Sequence, residues 1–446
     1  MKIIIVGMGD LGFYLAKILA QEKHDITVVD RDPERLRRAT DSLDVLTMEG
    51  SGTRINTLEK AGAESADLLI AVTSIEEVNL TSCLLATKLG TKKRIIRVHD
   101  PEFLFAKGPM KAEDFGIDRV IYPEGLAAQE IVRLIRRSAA TEVLEFADGR
   151  VQLLGLRLDA DSPLINRTLG EIAASHDEFA FRVVCIVRAL HTIVPKRDNV
   201  FRKGDQLFVI SKTDSVPEML TLCGKKAHSF KNIMILGGGE IGHRVAMELE
   251  DELSVKLLDP NKEHSRKSAE TLRKAMVIHD EGKDLDVMAA EGIMDMDAYI
   301  AVSSDEENNI ISCLMAKHLG VGKTIAHVEK LDYVPIANSI GIDALVNRKL
   351  SAAMEILRFI RKGEILSVAT LHGVDAEVIE LIAREGSRVT KKEIRHLNFP
   401  EGAIIGCVMH NGGVSIPLGD TQIAPLDRVV VFTLPHAIHD VERLFN

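Results

Sequence analysis

Long hydrophobic runs are missing from this 446-residue chain: no apolar stretch approaches the roughly 18–20 residues that a bilayer-spanning helix needs. Action at a membrane would therefore have to go through a partner. The opening Met1-Lys2-Ile3-Ile4-Ile5-Val6-Gly7 imitates a secretory signal, but Gly9, Asp10 and Gly12 break the apolar run before it reaches signal length. Cysteine is scarce and scattered. Cys83, Cys185, Cys223, Cys313 and Cys407 form no C-x-x-C pair, and an odd number does not suit a secreted disulfide framework, so they read as small core residues in a reducing cytoplasm. An excess of positive charge is lacking too: 56 Lys and Arg against 66 Asp and Glu give a net charge of −10, which removes any global attraction to nucleic acid or to an anionic bilayer. The basic cluster Arg133, Arg136 and Arg137 reads as the solvated face of an amphipathic helix. No Pro/Ser-rich or like-charge block marks a disordered tail. At about 150 residues per domain the length implies about three cores, with two to four admissible.

What is present is a repeat. Residues 2–98 reappear as residues 232–328 at a nearly constant offset of 230. Ile3-Ile4-Ile5-Val6-Gly7-Met8-Gly9-Asp10-Leu11-Gly12 matches Ile233-Met234-Ile235-Leu236-Gly237-Gly238-Gly239-Glu240-Ile241-Gly242. Ala71-Val72-Thr73-Ser74 with Glu76, Glu77 and Asn79 matches Ala301-Val302-Ser303-Ser304 with Glu306, Glu307 and Asn309.

Within each copy, short β-branched runs (3–6, 26–29, 68–72, 94–98 and their counterparts 233–236, 255–258, 298–302, 324–328) alternate with helical stretches such as 11–20 and 79–89. Strands separated by helices pair in parallel through right-handed crossovers, so each copy predicts an α/β Rossmann-type doubly wound sheet. The intervening segments resemble one another and predict small α+β domains. The first has strands at 143–146, 151–158, 183–188 and 206–210 with a helix at 169–174. The second has strands at 365–370, 378–382, 404–409 and 428–432 with a helix at 391–397. The expected domains are 1–122, 141–225, 230–348 and 364–446.

A lone G-x-G-x-x-G is a weak signal, but here each copy follows a strand and opens a helix. In that setting the glycines allow a tight turn, close approach of a pyrophosphate and close helix–strand packing, while the helix N-terminus offers unpaired N–H groups to phosphates. The candidate phosphate contacts are Gly7, Met8, Gly9, Asp10, Leu11 and Gly12, and in the second copy Gly237, Gly238, Gly239, Glu240, Ile241 and Gly242. An acid about 20 residues on, at the end of the second strand, is expected to take ribose hydroxyls, and Asp30 and Asp259 stand there. An aspartate repels a 2′-phosphate, which favours NAD(H) or an adenine nucleotide over NADP(H). Arg31 beside Asp30 reads as a surface residue. Thr73 and Ser74 fall at the carboxyl edge of the sheet, where open α/β folds bind ligands. Ser74 also precedes Glu77 by three residues, the spacing of a capping box, so both readings stand. Arg97 on the fifth strand is placed to neutralise phosphate; its counterpart is His327.

Catalytic chemistry is not visible. A dehydrogenase needs a proton donor or acceptor against the nicotinamide, yet His176, His191, His396, His410, His436 and His439 are isolated in sequence, and no zinc, P-loop or nucleophile-elbow motif occurs. The acidic runs Glu76-Glu77 and Asp305-Glu306-Glu307 read as helix N-terminal charges rather than metal ligands. The competing readings are an NAD-dependent oxidoreductase that uses the small domains for substrate and a redox-sensing transcriptional regulator. The first lacks an acid/base set and the second lacks a basic recognition helix.

The paired glycine motifs, each followed by V-V-D or L-L-D and then by A-V-T-S or A-V-S-S, resemble the TrkA family over essentially the full length. These are cytosolic subunits of bacterial and archaeal Trk potassium uptake systems, built from two RCK (KTN) units. The resemblance implies a non-catalytic, ring-forming regulator, dimeric or tetrameric, that docks on the cytoplasmic face of a TrkH-like membrane subunit and responds to NAD(H) or to ATP/ADP. By position it implies ligand contacts at Gly7 to Leu11, Asp30, Gly50, Ser51 and Thr73, and at Gly237 to Ile241, Asp259 and Ser303. It departs from the common pattern in carrying Glu49-Gly50-Ser51 and Asp280-Glu281-Gly282 where many units have Gly-Asp. The amphipathic stretches 122–139 and 347–362 are the expected places for subunit contact and hinge motion.

Overall fold

The computed structural model describes residues 1–22, 24–99, 111–137, 140–174, 181–188, 191–225, 230–280, 285–330, 333, 340–360, 365–371, 374 and 376–446. His176, Glu281, Gly282 and the ends of the two expected hinge stretches, 138–139 and 361–362, lie outside the described residues.

The first sheet holds β1 (Lys2–Val6), β2 (Asp25–Asp30), β3 (Leu46–Glu49), β4 (Leu68–Ala71), β5 (Lys93–Arg97) and β6 (Arg119–Ile121) in the order β3-β2-β1-β4-β5-β6. All of its pairings are parallel. Ile3, Ile4, Ile5 and Val6 are all buried, so both faces of β1 require cover, as central parallel strands do. The helices Asp10–Gln21, Pro33–Ser42 and Glu76–Leu89 provide it. Strand order reverses between β1 and β4, which leaves a crevice at the carboxyl ends of those strands.

A small antiparallel sheet follows, with β7 (Glu142–Phe146), β8 (Val151–Arg157), β9 (Phe181–Arg188), β10 (His191–Ile193) and β11 (Gln206–Lys212) in the order β10-β9-β11-β8-β7. The second half repeats both architectures. Strands β12 (Asn232–Leu236), β13 (Ser254–Leu258), β14 (Met276–Ile278), β15 (Ala298–Ala301), β16 (Lys323–His327) and β17 (Ala344–Val346) run β14-β13-β12-β15-β16-β17, all parallel. Strands β18 (Ile365–Thr370), β19 (Glu377–Ile382), β20 (Ala403–His410), β21 (Gly413–Ser415) and β22 (Arg428–Thr433) run β18-β19-β22-β20-β21, antiparallel.

One expected element is absent. Residues 391–397 are not an α-helix: Arg388–Thr390 and Ile394–His396 are single 3₁₀ turns. The N–H groups of Ile394 and Arg395 donate instead to the carbonyls of Thr421 and Gly419, so tertiary pairing takes the donors a helix would have used. All five cysteines are buried, and desolvation pushes the thiols of Cys185, Cys223 and Cys407 up to about 12, which suits packing rather than reactivity.

The chain forms two compact units that do not follow its halves. One joins Met1–Ala127 to Arg348–Phe359; the other joins Ala128–Asn347 to Ile360–Asn446. Each Rossmann sheet thus packs against the helix that succeeds the other one. In the first unit the helix Arg348–Ile360 turns Ala352, Ala353, Ile356 and Leu357 inward, the spacing of a single buried stripe. Glu355 pairs with Arg119, Arg348 with the buried Glu124 (2.9 Å), and Lys93 sits over the Phe359 ring. In the second unit the end of the helix Pro123–Arg136 is capped by the buried Lys323. Its ammonium donates to the carbonyls of Leu134 (3.1 Å), Arg137 (3.4 Å) and Ala140. Arg136, expected on a solvated face, is paired with Glu252 at 2.6 Å.

Candidate functional site

Each glycine loop occupies the crevice where its strand order reverses, and the three glycines of a loop do different work. Gly7 has φ +103°, and a β-carbon there would lie 2.9 Å from Thr73. A β-carbon on Gly12 would lie 1.9 Å from the carbonyl oxygen of Gly7. Both glycines are demanded by the protein's own packing. Gly9 is different: only the tip of Arg35, 3.9 Å away, is near the place a β-carbon would take. Gly9 is also the N-cap of Asp10–Gln21 and supplies no side-chain cap, so the first N–H groups of that helix face an open cradle. The second loop repeats this. Gly237 has φ +106°, a β-carbon on Gly242 would meet the Gly237 oxygen at 1.8 Å, and one on Gly239 would meet nothing within 4 Å. The space above the middle glycine is open in the second loop and bordered by the tip of Arg35 in the first.

The acids at the strand ends hold these loops in place. Asp30 accepts from the N–H of Met8 (2.5 Å) and of Asp32 (2.9 Å). Asp259 accepts from the N–H of Gly238 and of Asn261 (2.6 Å), and His264 stands 3.5 Å away. Asp259 is buried and Asp30 only partly so, which leaves the first acid more available to a ribose. Gly50 donates to the Asp30 carbonyl, while the buried Ser51 accepts from Arg31 (2.8 Å) and bonds Thr53. Arg31 is exposed as expected, and tied to the same loop.

Thr73 and Ser303 are each gripped by a buried asparagine that the repeat marks in sequence without showing its role. Asn79 accepts from the Thr73 N–H (2.9 Å) and hydroxyl (2.7 Å) and donates to the carbonyls of Thr73 (3.1 Å) and Arg97 (2.9 Å). Asn309 makes the same four bonds to Ser303 and His327 at 3.0, 2.7, 3.0 and 3.0 Å. A signal existed: the asparagine recurs at the same place in both repeats. Of the two readings of Ser74, the capping box does not form. The N-cap is Ile75, and the Thr73 hydroxyl accepts from the Ile75 N–H, closing the turn one residue earlier. Glu76 accepts from the N–H of His99, and Glu306 from those of Glu329 and Lys330, so these acids pin the chain beyond β5 and β16. Among the described residues no group of three or more His, Cys, Asp or Glu is placed to hold a metal.

Arg35, 3.9 Å from the Gly9 position, and Lys349, 2.7 Å from Asp10, complete the first cleft and were not foreseen. Lys349 holds the Asp10 carboxyl below its usual range, with help from Arg38 and Arg35.

His410 acquires a carboxylate partner, Asp427 at 2.6 Å. The equivalent pair in the first small lobe is Arg188 with Asp205, and both aspartates also take a backbone N–H, from Ala424 and Arg202. The pair is a hairpin clamp in which histidine and arginine interchange. A cavity of about 780 Å³ among the small lobes, lined by Lys196, Glu401, His436 and Asp440 among others, lies in neither glycine loop.

Doubly wound sheets, each with a glycine loop at its switch point and each followed by a small antiparallel lobe, define the class of tandem Rossmann-type chains with two nucleotide-shaped clefts. Comparison places the chain within that class. The TrkA-N domain matches residues 3–123 and 233–348, and the TrkA-C domain matches 153–224 and 378–446. The chain belongs to the TrkA family. It is 35% identical to the Trk system potassium uptake protein TrkA of Halomonas elongata, covering 100% of this chain and 99% of the relative. It is 31% identical to TrkA homolog 1 of Methanosarcina mazei, with 100% of each covered. Among solved structures it is similar to the GsuK RCK domain (TM-score 0.60, 18% identity, 99% of this chain and 94% of that one). It is also similar to the GsuK channel bound to NAD (TM-score 0.61, 17% identity, 100% and 78%). These last two likenesses establish the RCK fold. Among the described residues no helix is long and apolar enough to cross a membrane.

Proposed function

We propose that this chain is a nucleotide-sensing regulatory subunit that binds NAD(H) or ATP/ADP in its two Rossmann clefts, without turnover, and gates a TrkH-like potassium uptake channel. It works as a ring-forming homo-oligomer on the cytoplasmic face of the membrane, held there by that partner, with domains at 1–122, 141–225, 230–348 and 364–446. The observation that carries this reading is the open cradle over Gly9 and Gly239, each above an uncapped helix start and each beside an aspartate. The names of the relatives support the potassium role, and the NAD-bound channel of the same fold supports the ligand. Gating follows if a nucleotide binds two arrangements of the chain with different affinity, since only that difference shifts an equilibrium. The test is potassium flux in vesicles that carry the membrane subunit, with this chain added outside. Flux that changes with nucleotide, and loses that change in a Gly9→Ala, Gly239→Ala double variant, is expected. Flux indifferent to nucleotide would refute the role.

A further inference from the structure

Histidines are distributed unevenly between the two clefts. Counted from the acid that ends the second strand, the fifth residue is Arg35 in the first lobe and His264 in the second, and the end of the third strand carries Glu49 in one and leads into His279 in the other. Charges of fixed sign thus stand in the first cleft where imidazoles stand in the second. His264 holds Nδ1 3.5 Å from the carboxylate of the buried Asp259, which also accepts from the N–H groups of Gly238 and Asn261 (2.6 Å). His279 bonds through Nε2 to the carbonyl of Pro260, the residue after that acid, at 2.9 Å. A carbonyl can only accept, so the other ring nitrogen of His279 is the one that takes up a further proton. Both imidazoles are exposed, so solvent protons reach them. A third histidine of the lobe, His243, is bonded to Ser268 at 3.1 Å, and burial holds it below its usual range. The elements around His264 and His279 also carry Glu240, paired with Lys267 at 3.2 Å, and Lys262, Glu263, Arg266 and Asp280. Carboxylates, lysines and arginines as classes keep their charge between about pH 6 and 8, whereas histidine changes its own there.

We propose that His264, seconded by His279, makes the second cleft a proton-dependent site that takes an anionic dinucleotide more tightly as the pH falls from about 8 to 6. The proposal rests on the reading of the clefts as nucleotide sites. With His264 neutral, Asp259 sets a negative charge at the ribose end of the crevice, beside the loop that would receive a pyrophosphate. Protonation places a positive charge 3.5 Å from that carboxylate and lessens its repulsion of the ligand. The sign follows by linkage. A bound anion stabilises the imidazolium, so binding takes up protons, and a binding step that takes up protons is strengthened by lowering the pH. At the matching place in the first cleft Arg35 keeps its charge throughout that range, so the response belongs to the second.

Calorimetric titration of the full chain with NAD and with ADP-ribose, at about pH 6 and about pH 8, is the test, because the pyrophosphate diesters of these ligands do not themselves titrate in that range. Affinity at the second cleft should be about five- to tenfold higher at the lower pH, the lower end of typical site couplings. Gly239→Ala should remove that difference by obstructing the second cleft, and Gly9→Ala should retain it. His264→Gln combined with His279→Gln should show the weaker affinity at both pH values. His264→Arg, which gives the second cleft the residue of the first, should keep the stronger affinity at the higher pH. Equal affinity at both pH values in the unsubstituted chain, or a pH difference that survives Gly239→Ala or the double glutamine variant, would overturn the proposal. Failure of both ligands to bind at either pH would overturn the reading of the clefts as nucleotide sites, a result distinct from the loss of a pH difference.

Discussion

The two Rossmann clefts share a backbone and differ in the charges around it. Gly7 and Gly237 have φ of +103° and +106°, Gly12 and Gly242 each close on the carbonyl oxygen of the first glycine, and the buried asparagines make the same four bonds. Around that frame, the first cleft has Arg35, Arg38 and Lys349, whereas the second has His264 beside Asp259 and Lys267 paired with Glu240. Tight packing leaves no alternative to glycine at positions 7 and 12 or at 237 and 242. Exposed charges can change without disturbing the fold, and the surroundings of the duplicated loops differ there.

The largest effect expected tests the shared frame. Gly12→Ala and Gly242→Ala each drive a methyl group against a carbonyl oxygen, and each should cost more than about 3 kcal/mol in denaturant unfolding of its Rossmann lobe. Gly9→Ala and Gly239→Ala meet no such obstacle and should leave unfolding unchanged. A smaller loss of about 2–3 kcal/mol is expected for Asn79→Ala, from backbone groups left without a buried partner, and Asn309→Ala should match it within about 0.5 kcal/mol. A clear inequality there would mean the frames are not equivalent.

Next comes the acid. Asp30→Ala should weaken nucleotide binding at the first cleft about tenfold, roughly 1.4 kcal/mol, without unfolding the chain. Asp259→Ala should disturb its loop more than its ligand, because Asp259 is buried against Gly238. The smallest effect separates two matching lysines. Burial pushes Lys323 from its ordinary 10.5 down to about 7, while Lys93, its counterpart, is exposed. Below pH 7 the folded and unfolded chains both carry the Lys323 proton, and the cost of burying it is paid in full. Between about pH 7 and 10.5 only the unfolded chain keeps the proton, so this residue's contribution to stability rises with pH. The difference between thermal unfolding curves of Lys323→Met and the unsubstituted chain should therefore vary across that window.

The glycine loops, the strand-ending acids and the alternation of strand and helix could be read from the sequence because each is a local requirement written twice. Lys349 could not, since it reaches Asp10 from 339 residues away along a helix that packs on the other Rossmann lobe. Residues 391–397 looked helical because nothing in their own sequence announces that Thr421 and Gly419 will take their N–H groups. The capping-box reading of Ser74 gave way to a cap at Ile75 because a hydroxyl one residue earlier, on Thr73, closes the turn.

The central claim, two clefts that bind nucleotide without consuming it, is tested most directly by calorimetric titration of the full chain with NADH, NAD, ATP and ADP while each nucleotide is assayed for turnover. Saturable binding that Gly9→Ala and Gly239→Ala each reduce, with every nucleotide recovered intact, is the predicted result. Consumption of a nucleotide, or binding that survives both substitutions together, would contradict it.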